Sequence, residues 1–305
     1  MSRRTAPQVC AACGAEPRRA LRLRNGSWLL RCPRCLLGWW DWLAFEPAHF
    51  YDREYFQSAG SDKGYDDYAA LEAGLRRTSR ARLKRIARLH ARRTAPDAGR
   101  PSLLDLGCGT GCFLDQAQRA GWDVEGIEVS EYAASVAQRR GMDVRCQTIE
   151  TAAIETNRYD CVTLWDTLEH LRDPVGVITS AAAALRPGGV LALSTGDITS
   201  LCARLSGPRW HLFNLPEHLF FFSPESLRRI LQRAGCRVAT MTRETYWATP
   251  SYLMERLAKS ARRRRRLPGL GTAELLLPAT LLDVLGVYAL RSPVDAACPA
   301  ASRGL

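Results

Sequence analysis

A chain of 305 residues, 46% of them hydrophobic, has room for one large domain plus a small module and can bury a sizeable core. Its formal net charge of +12, to which the run Arg262 to Arg266 contributes, favours anionic partners or a solvated arginine-rich surface. No apolar stretch follows the first seven residues, and the greasiest segment, 275–290, is interrupted by Pro278 and Asp283, so neither a secretion signal nor a membrane span is expected.

The chain begins with a cysteine-bearing module over 9–42. Cys10-Ala11-Ala12-Cys13 and Cys32-Pro33-Arg34-Cys35 are two CxxC knuckles separated by eighteen residues, the spacing of a zinc ribbon, with Gly14 easing the first turn. Four thiolates close a tetrahedron and leave no open position, so Cys10, Cys13, Cys32 and Cys35 are expected to hold a structural Zn2+ rather than to run redox chemistry. The remaining cysteines lie scattered in apolar stretches, as free thiols do in a reducing cytoplasm. Trp39, Trp40 and Trp42 at the end of the module call for a packing partner.

An aromatic link, 49–56, follows. Leu71, Leu75, Ser79, Leu83, Ile86 and Leu89 then recur at three or four residues, the period of an amphipathic helix. From residue 102 short apolar strands alternate with helices: strands at 102–106, 123–129, 142–146, 159–165 and 190–195, helices at 112–120, 132–140 and 174–185. A helix at 226–234 and strands at 237–245 and 284–291 complete the pattern, with a basic insertion between the last two strands. The expectation is an α/β fold, a doubly wound, mostly parallel seven-stranded sheet of Rossmann-like form with a small N-terminal zinc ribbon. Its divisions are 1–45 for the ribbon, 46–98 for a helical lid or linker, 99–248 for the core, and 249–305 for the insertion and final strand.

The most informative segment joins the first core strand to its helix: Leu103-Leu104-Asp105-Leu106-Gly107-Cys108-Gly109-Thr110-Gly111. Glycines there let a flat ligand lie against the backbone. The dinucleotide fingerprint fails, because Cys112 stands where a third glycine or alanine belongs, and no Lys-Ser/Thr pair makes a P-loop. Glu128, at the tip of the second strand, can accept both hydroxyls of a ribose and repels a 2′-phosphate. Asp105 places a second acid under the loop, suited to an ammonium. A phosphate-free, positively charged nucleoside such as S-adenosylmethionine meets these demands.

The run 104–111 resembles the first motif of the class I S-adenosylmethionine-dependent methyltransferases. Tyr159-Asp160-Cys161-Val162-Thr163-Leu164-Trp165-Asp166 is similar to the fourth-strand motif of that family, and Leu185-Arg186-Pro187-Gly188-Gly189-Val190-Leu191 to its turn into the fifth strand. The resemblance covers about 100–245. It implies that Gly107, Cys108 and Gly109, closed by Gly111, line the methionine portion of the cofactor, and that Glu128 holds the ribose. It further implies Val129 against the adenine, Gln147 and Thr148 at the adenine edge, and Trp165 and Asp166 beside the sulfonium. The family often has an acid after the third strand, where this chain has Gln147, Thr148 and Ile149.

Methyl transfer from a sulfonium is largely a matter of positioning, but an oxygen nucleophile gains from a base with a near-neutral pKa. His170, His211 and His218 fall after the fourth or fifth strand, at the carboxyl edge where ligands bind in such folds. The segment Trp165-Asp166-Thr167-Leu168-Glu169-His170 resembles the Glu-His pair of quinone-type O-methyltransferases, and 209–219 resembles the substrate-side loop of bacterial small-molecule and glycan methyltransferases. His218 and His170 are the candidate base or acceptor contact, whereas His49 and His90 read as surface or packing residues. The link 49–56 resembles the segment such enzymes fold over the cofactor.

The expectation is a cytoplasmic methyltransferase acting at oxygen on a small-molecule, sugar or lipid-linked acceptor. Its basic insertion would also suit an anionic membrane surface. One rival is an RNA base methyltransferase, which a zinc ribbon and a basic surface would fit, although no Asn-Pro-Pro-Tyr motif follows the fourth strand. Another is a non-catalytic ribbon-bearing interaction protein, against which the intact loop and Glu128 speak.

Overall fold

The computed structural model describes residues 6–41, 71–91, 99–248, 276–280 and 282–293. Trp42, the aromatic link with His49, and the arginine run lie outside the described residues.

The buried apolar runs from residue 102 build one seven-stranded sheet. In chain order its strands are β4 (Ser102–Leu106), β5 (Asp123–Glu128), β6 (Asp143–Cys146), β7 (Tyr159–Trp165), β8 (Leu185–Gly196), β10 (Cys236–Arg243) and β13 (Val284–Arg291). Their spatial order is β10-β13-β8-β7-β4-β5-β6. From β6 to β8 neighbours run parallel, and β13 lies antiparallel between β8 and β10. Strand order reverses at β4, with β5 on one side and β7 on the other, which opens a crevice beyond their carboxyl ends.

The helices are α1 (Glu72–Ala91), α2 (Cys112–Arg119), α3 (Glu131–Arg139), α4 (Pro174–Ala184), α5 (Leu201–Ser206) and α6 (Pro224–Arg233). Caps set their starts. The Ser130 hydroxyl accepts the Ala133 N–H, so α3 begins one residue ahead of expectation. Ser223 and Ser226 cap α6 reciprocally with Pro224 in the first turn, which moves that helix start from 226 to 224. Strand β8 begins earlier than expected, at Leu185, which pairs with Tyr159 ahead of a register shift.

Helix α1 buries more than the expected apolar stripe: Gly74, Thr78, Ser79 and Arg82 are buried beside Leu83 and Ile86. Arg82 can lie there because acids on the sheet side meet it, as described below. Leu83 and Ile86 share a cluster with Leu103, Leu114, Val190 and Tyr288.

The N-terminal module is antiparallel: β1 (Arg18–Arg22), β2 (Trp28–Arg31) and β3 (Gly38–Trp40). Its sheet gains a fourth strand from the main domain, β9 (Phe220–Phe221), in the order β1-β2-β3-β9. Leu29, Leu37 and Trp39 accordingly share one buried cluster with Phe220, Phe222, Leu193 and Ile230. A short ribbon, β11 (Tyr246–Ala248) with β12 (Leu277–Ala279), packs near α1. Among the described residues, no helix is long and apolar enough to cross a membrane.

Candidate cofactor and acceptor site

The glycine loop leaves β4 at the crevice. The amides of Gly107 and Cys108 both donate to the Ile127 carbonyl on β5, at 2.8 and 3.2 Å. Gly107, Gly109 and Gly111 take φ of +79°, +55° and +80°, which disfavours side chains. Space forbids one as well: a Cβ on Gly107 would stand 2.6 Å from the Thr167 hydroxyl in the loop after β7. The cofactor-side and acceptor-side loops therefore touch at this residue.

Two acids flank the loop. Glu128 is buried, and its carboxylate accepts the Gly109 N–H at 2.8 Å and the Ser130 N–H at 2.9 Å. A carboxylate has about four acceptor positions, so capacity remains for a ribose diol. Asp105 is 2% exposed and accepts the Thr163 hydroxyl at 2.7 Å. Burial pushes its pKa up to about 7, against the pull of Thr163 and Arg82.

Val129 is half-buried just beyond Glu128, and the Gln147 N–H donates to the Glu128 carbonyl at 2.9 Å, which brings Gln147 and the half-buried Thr148 alongside. Among the described residues, the Gln147 side-chain Nε2 is buried without a hydrogen-bond partner. Such an orphan donor suits a ligand nitrogen lone pair. The Trp165 Nε1, packed beside Phe113 and Tyr288, is another buried donor without a partner among the described residues.

At the tip of β7, Asp166 takes φ of +50°, a strained conformation for a residue with a side chain. Its carboxylate accepts the hydroxyls of Ser194 at 2.9 Å and Tyr246 at 2.8 Å, and Arg82 Nη2 lies 3.5 Å away. Arg82 also donates through Nε to Glu244 at 2.9 Å and stacks 4.3 Å above the Trp165 ring. This cluster is missed at the level of sequence; the signal that could find it is the place of Arg82 three residues after Ser79 and four before Ile86, on the buried face of α1. Its partners Glu244 and Tyr246 carry no comparable sequence signal.

Thr167 leads into a single helical turn, 168–170, that carries Glu169 and His170. His170 Nδ1 lies 3.0 Å from the Glu217 carbonyl and His218 Nδ1 2.8 Å from the Leu212 carbonyl. A carbonyl only accepts, so in each neutral ring the proton sits on Nδ1 and the basic lone pair on Nε2. The rings meet edge to face with centroids 4.6 Å apart, and Glu169 presents its carboxyl to the Thr195 hydroxyl at 2.8 Å. Ligand atoms of Glu169, His170 and His218 all lie within 4.8 Å of one another. Burial pushes His170 down to about 4 and raises Glu169, the nearby Asp166 charge adding to the latter shift.

The third edge histidine stands apart. His211 Nε2 and the Trp210 indole N–H both meet Asp283 Oδ2 at 2.8 Å, anchoring the start of the acceptor-side loop just ahead of β13. His90 packs on Trp122 with ring centroids 5.2 Å apart.

The four knuckle cysteines converge. Sγ separations are 3.4 Å for Cys10–Cys35, 3.5 Å for Cys13–Cys32 and 3.8 Å for Cys13–Cys35. Sulfurs 2.3 Å from one centre stand roughly 3.8 Å apart in a tetrahedron, so the set fits a metal of that size. The Arg34 and Cys35 amides also point at Cys32 Sγ, both at 3.4 Å, as suits a thiolate.

A glycine turn at the switch point, a buried acid at the neighbouring strand tip and the orphan Gln147 donor beyond it make a candidate nucleoside site in a doubly wound fold. Residues 76–240 match the family model described as a methyltransferase domain, over half of the chain, and the chain belongs to that family. The ubiquinone biosynthesis O-methyltransferase of Thiobacillus denitrificans is 32% identical over 165 residues, 50% of this chain and 71% of that protein. Its counterpart in Marinobacter nauticus is 34% identical over 158 residues, 47% of this chain and 66% of that protein. The match thus spans about two thirds of these relatives and half of this chain. Among solved structures, a magnesium protoporphyrin IX methyltransferase from Synechocystis, with bound SAH, superposes with a TM-score of 0.49 at 18% identity, covering 79% of this chain and 98% of that one. The protein is an S-adenosylmethionine-dependent methyltransferase.

Proposed function

We propose that the protein methylates a hydroxyl of a small molecule, with His218 as the base and His170 beside it. The observation that carries this reading is the edge-to-face histidine pair, ring centroids 4.6 Å apart, formed by His170 from the turn whose Thr167 lies against Gly107 and His218 from the loop before β9. Both relatives described above are named O-methyltransferases, which agrees with it. Bound S-adenosylmethionine supplies an activated methyl group on a sulfonium.

The chain does the rest. Gly107, Cys108, Gly109 and Gly111 leave room for the methionine portion, and Glu128 receives the ribose hydroxyls. Val129, Gln147 and Thr148 meet the adenine. Asp105 faces the ammonium, while Trp165 and Asp166 border the sulfonium. Nε2 of His218 accepts the acceptor's hydroxyl proton, a role worth about a hundredfold to ten-thousandfold in rate. Burial keeps His170 uncharged at neutral pH and a weak base, which suits it to contact the acceptor beside His218. Cys10, Cys13, Cys32 and Cys35 hold a structural Zn2+.

The test is transfer of labelled methyl from S-adenosylmethionine to five probes: a catechol, a reducing sugar, a polyprenyl-linked sugar, a primary amine and an RNA. Labelled methyl ether on any of them, lost in His218→Asn, supports the reading. Label appearing only on nitrogen or on RNA bases overturns it.

A further inference from the structure

We propose that the N-terminal four-cysteine module is a working part of the acceptor site, with Trp40 as the positioning residue for His218. The proposal rests on the reading of His218 given above.

Main-chain and side-chain bonds join the module to the His218 loop. Strand β3 pairs antiparallel with β9, Gly38 opposite Phe221 and Trp39 opposite Phe220. Two residues before β9, the Trp40 indole N–H donates to the buried His218 carbonyl at 2.8 Å. Two residues after it, the Ser223 hydroxyl that caps α6 donates to the Cys35 carbonyl at 2.6 Å. From α6, Arg233 reaches back to the carbonyls of Ala11 and Ala12 in the first knuckle, at 3.0 and 3.1 Å. The contact is close: a Cβ on Gly38 would stand 2.8 Å from Ile198 Cδ1.

The His218 loop has little order of its own. Between α5 and α6 its one strand is β9, two residues long. Its early end is held by Asp283, through Trp210 and His211. The His218 ring and amide are held within the loop, by the carbonyls of Leu212 and Asn214, the latter at 2.8 Å. The His218 carbonyl is held by the module through Trp40, while the Leu219 N–H of the same peptide donates to the Glu169 carbonyl at 2.8 Å; the strand beyond pairs with β3 and, at Phe222, accepts the Ile198 N–H at 2.9 Å. A displaced His218 peptide would carry its imidazole away from His170 and from the Thr167–Gly107 contact.

The module in turn depends on its thiolates. Its core is small, centred on Leu23, Leu29, Leu37 and Trp39, too little to order some 35 residues alone. Cys35 stands three residues before β3, and the Cys32 N–H donates to the Leu37 carbonyl at 2.8 Å, so the second knuckle leads straight into the strand that meets β9. Sulfur geometry is thereby transmitted to His218 through nine residues of backbone, 32–40.

The test uses the full-length protein as purified with metal and compares Trp40→Phe with Trp39→Phe. Each removes one indole N–H, but that of Trp39 bonds the Pro7 carbonyl inside the module at 2.9 Å. Hydrogen exchange over 212–222 is expected to rise about five- to tenfold in Trp40→Phe, the worth of one hydrogen bond, and to stay at the wild-type rate in Trp39→Phe. Zinc content and S-adenosylhomocysteine affinity should be unchanged in both. Chelation of the metal should raise exchange over 212–222 while β4, β5 and β7 remain protected. On any probe the wild type methylates, Trp40→Phe should lower kcat and leave the KM for S-adenosylmethionine alone. Unchanged exchange in Trp40→Phe, equal changes in the two variants, or a loop indifferent to chelation would each overturn the proposal. Exchange needs no acceptor, so these results stand apart from failure of the hydroxyl-transfer reading, which shows as intact loop coupling without label on the probes.

Discussion

The two halves of the site are built over different sequence distances. On the cofactor side, Glu128 takes the amides of Ser130 and Gly109, two and nineteen residues away. On the acceptor side, the His218 carbonyl is held by Trp40, 178 residues away, and Trp210 and His211 are held by Asp283, 73 and 72 residues away. The first half is a matter of backbone conformation and one or two local bonds. Assembly of the second requires the whole chain to be folded, so it should be the half more easily disturbed without loss of the sheet.

The largest expected effect lies where the halves meet. Arg82 joins α1 to Glu244, Ser194 and Asp166, and Glu244 is 3% exposed. Arg82→Met leaves the buried Glu244 carboxylate only the more exposed Arg85, 3.4 Å away, and should cost up to about 3–5 kcal/mol in urea unfolding, part of it regained in the double variant with Glu244→Gln. Next, His218→Asn should lower methyl transfer at least a hundredfold while the S-adenosylhomocysteine Kd moves less than about twofold. Glu128→Ala should do the reverse: the Kd rises about tenfold to a hundredfold through lost bonds to the ribose, and exchange over 212–222 stays as it was.

The smallest expected effect is a pH dependence of cofactor binding. In the free protein burial holds Asp105 at about 7. A ligand ammonium prefers the carboxylate, so below that pH binding must expel a proton, and affinity should fall as pH drops from 7.5 to 5.5. Asp105→Asn should flatten that slope in calorimetry. Without ligand the sign for stability is opposite. A carboxyl raised from 3.8 to about 7 binds the proton better in the folded state, so its contribution is present below 3.8 and is lost as pH climbs toward 7.

The same contrast explains what could be read from the chain. The central strands β4, β7, β8 and β13 announce themselves as buried apolar runs, the edge strands β6 and β10 only by their place in the pattern, and the boundary shifts at α3 and α6 trace to the caps Ser130 and Ser223. The glycine turn and Glu128 are visible because conformation and ligand demand both fall on one short stretch. His170 and His218 can be singled out by their place after β7 and β8, but nothing in the spacing says that their rings meet while His211 turns to Asp283. Pairing of β3 with β9 is equally silent, since Trp39 and Trp40 call for a partner without naming it. Arg82 is buried against the usual preference of its residue type, and only its distant acids explain why.

The most direct measurement is calorimetry of the full-length protein with S-adenosylmethionine, NAD and ATP, repeated on Gly107→Val. Expected is one S-adenosylmethionine site per chain, absent in the variant because the new side chain meets Thr167 at a backbone angle suited to glycine, with no heat from NAD or ATP. Heat from NAD or ATP together with none from S-adenosylmethionine would contradict the assignment of the 107–111 turn as the cofactor seat.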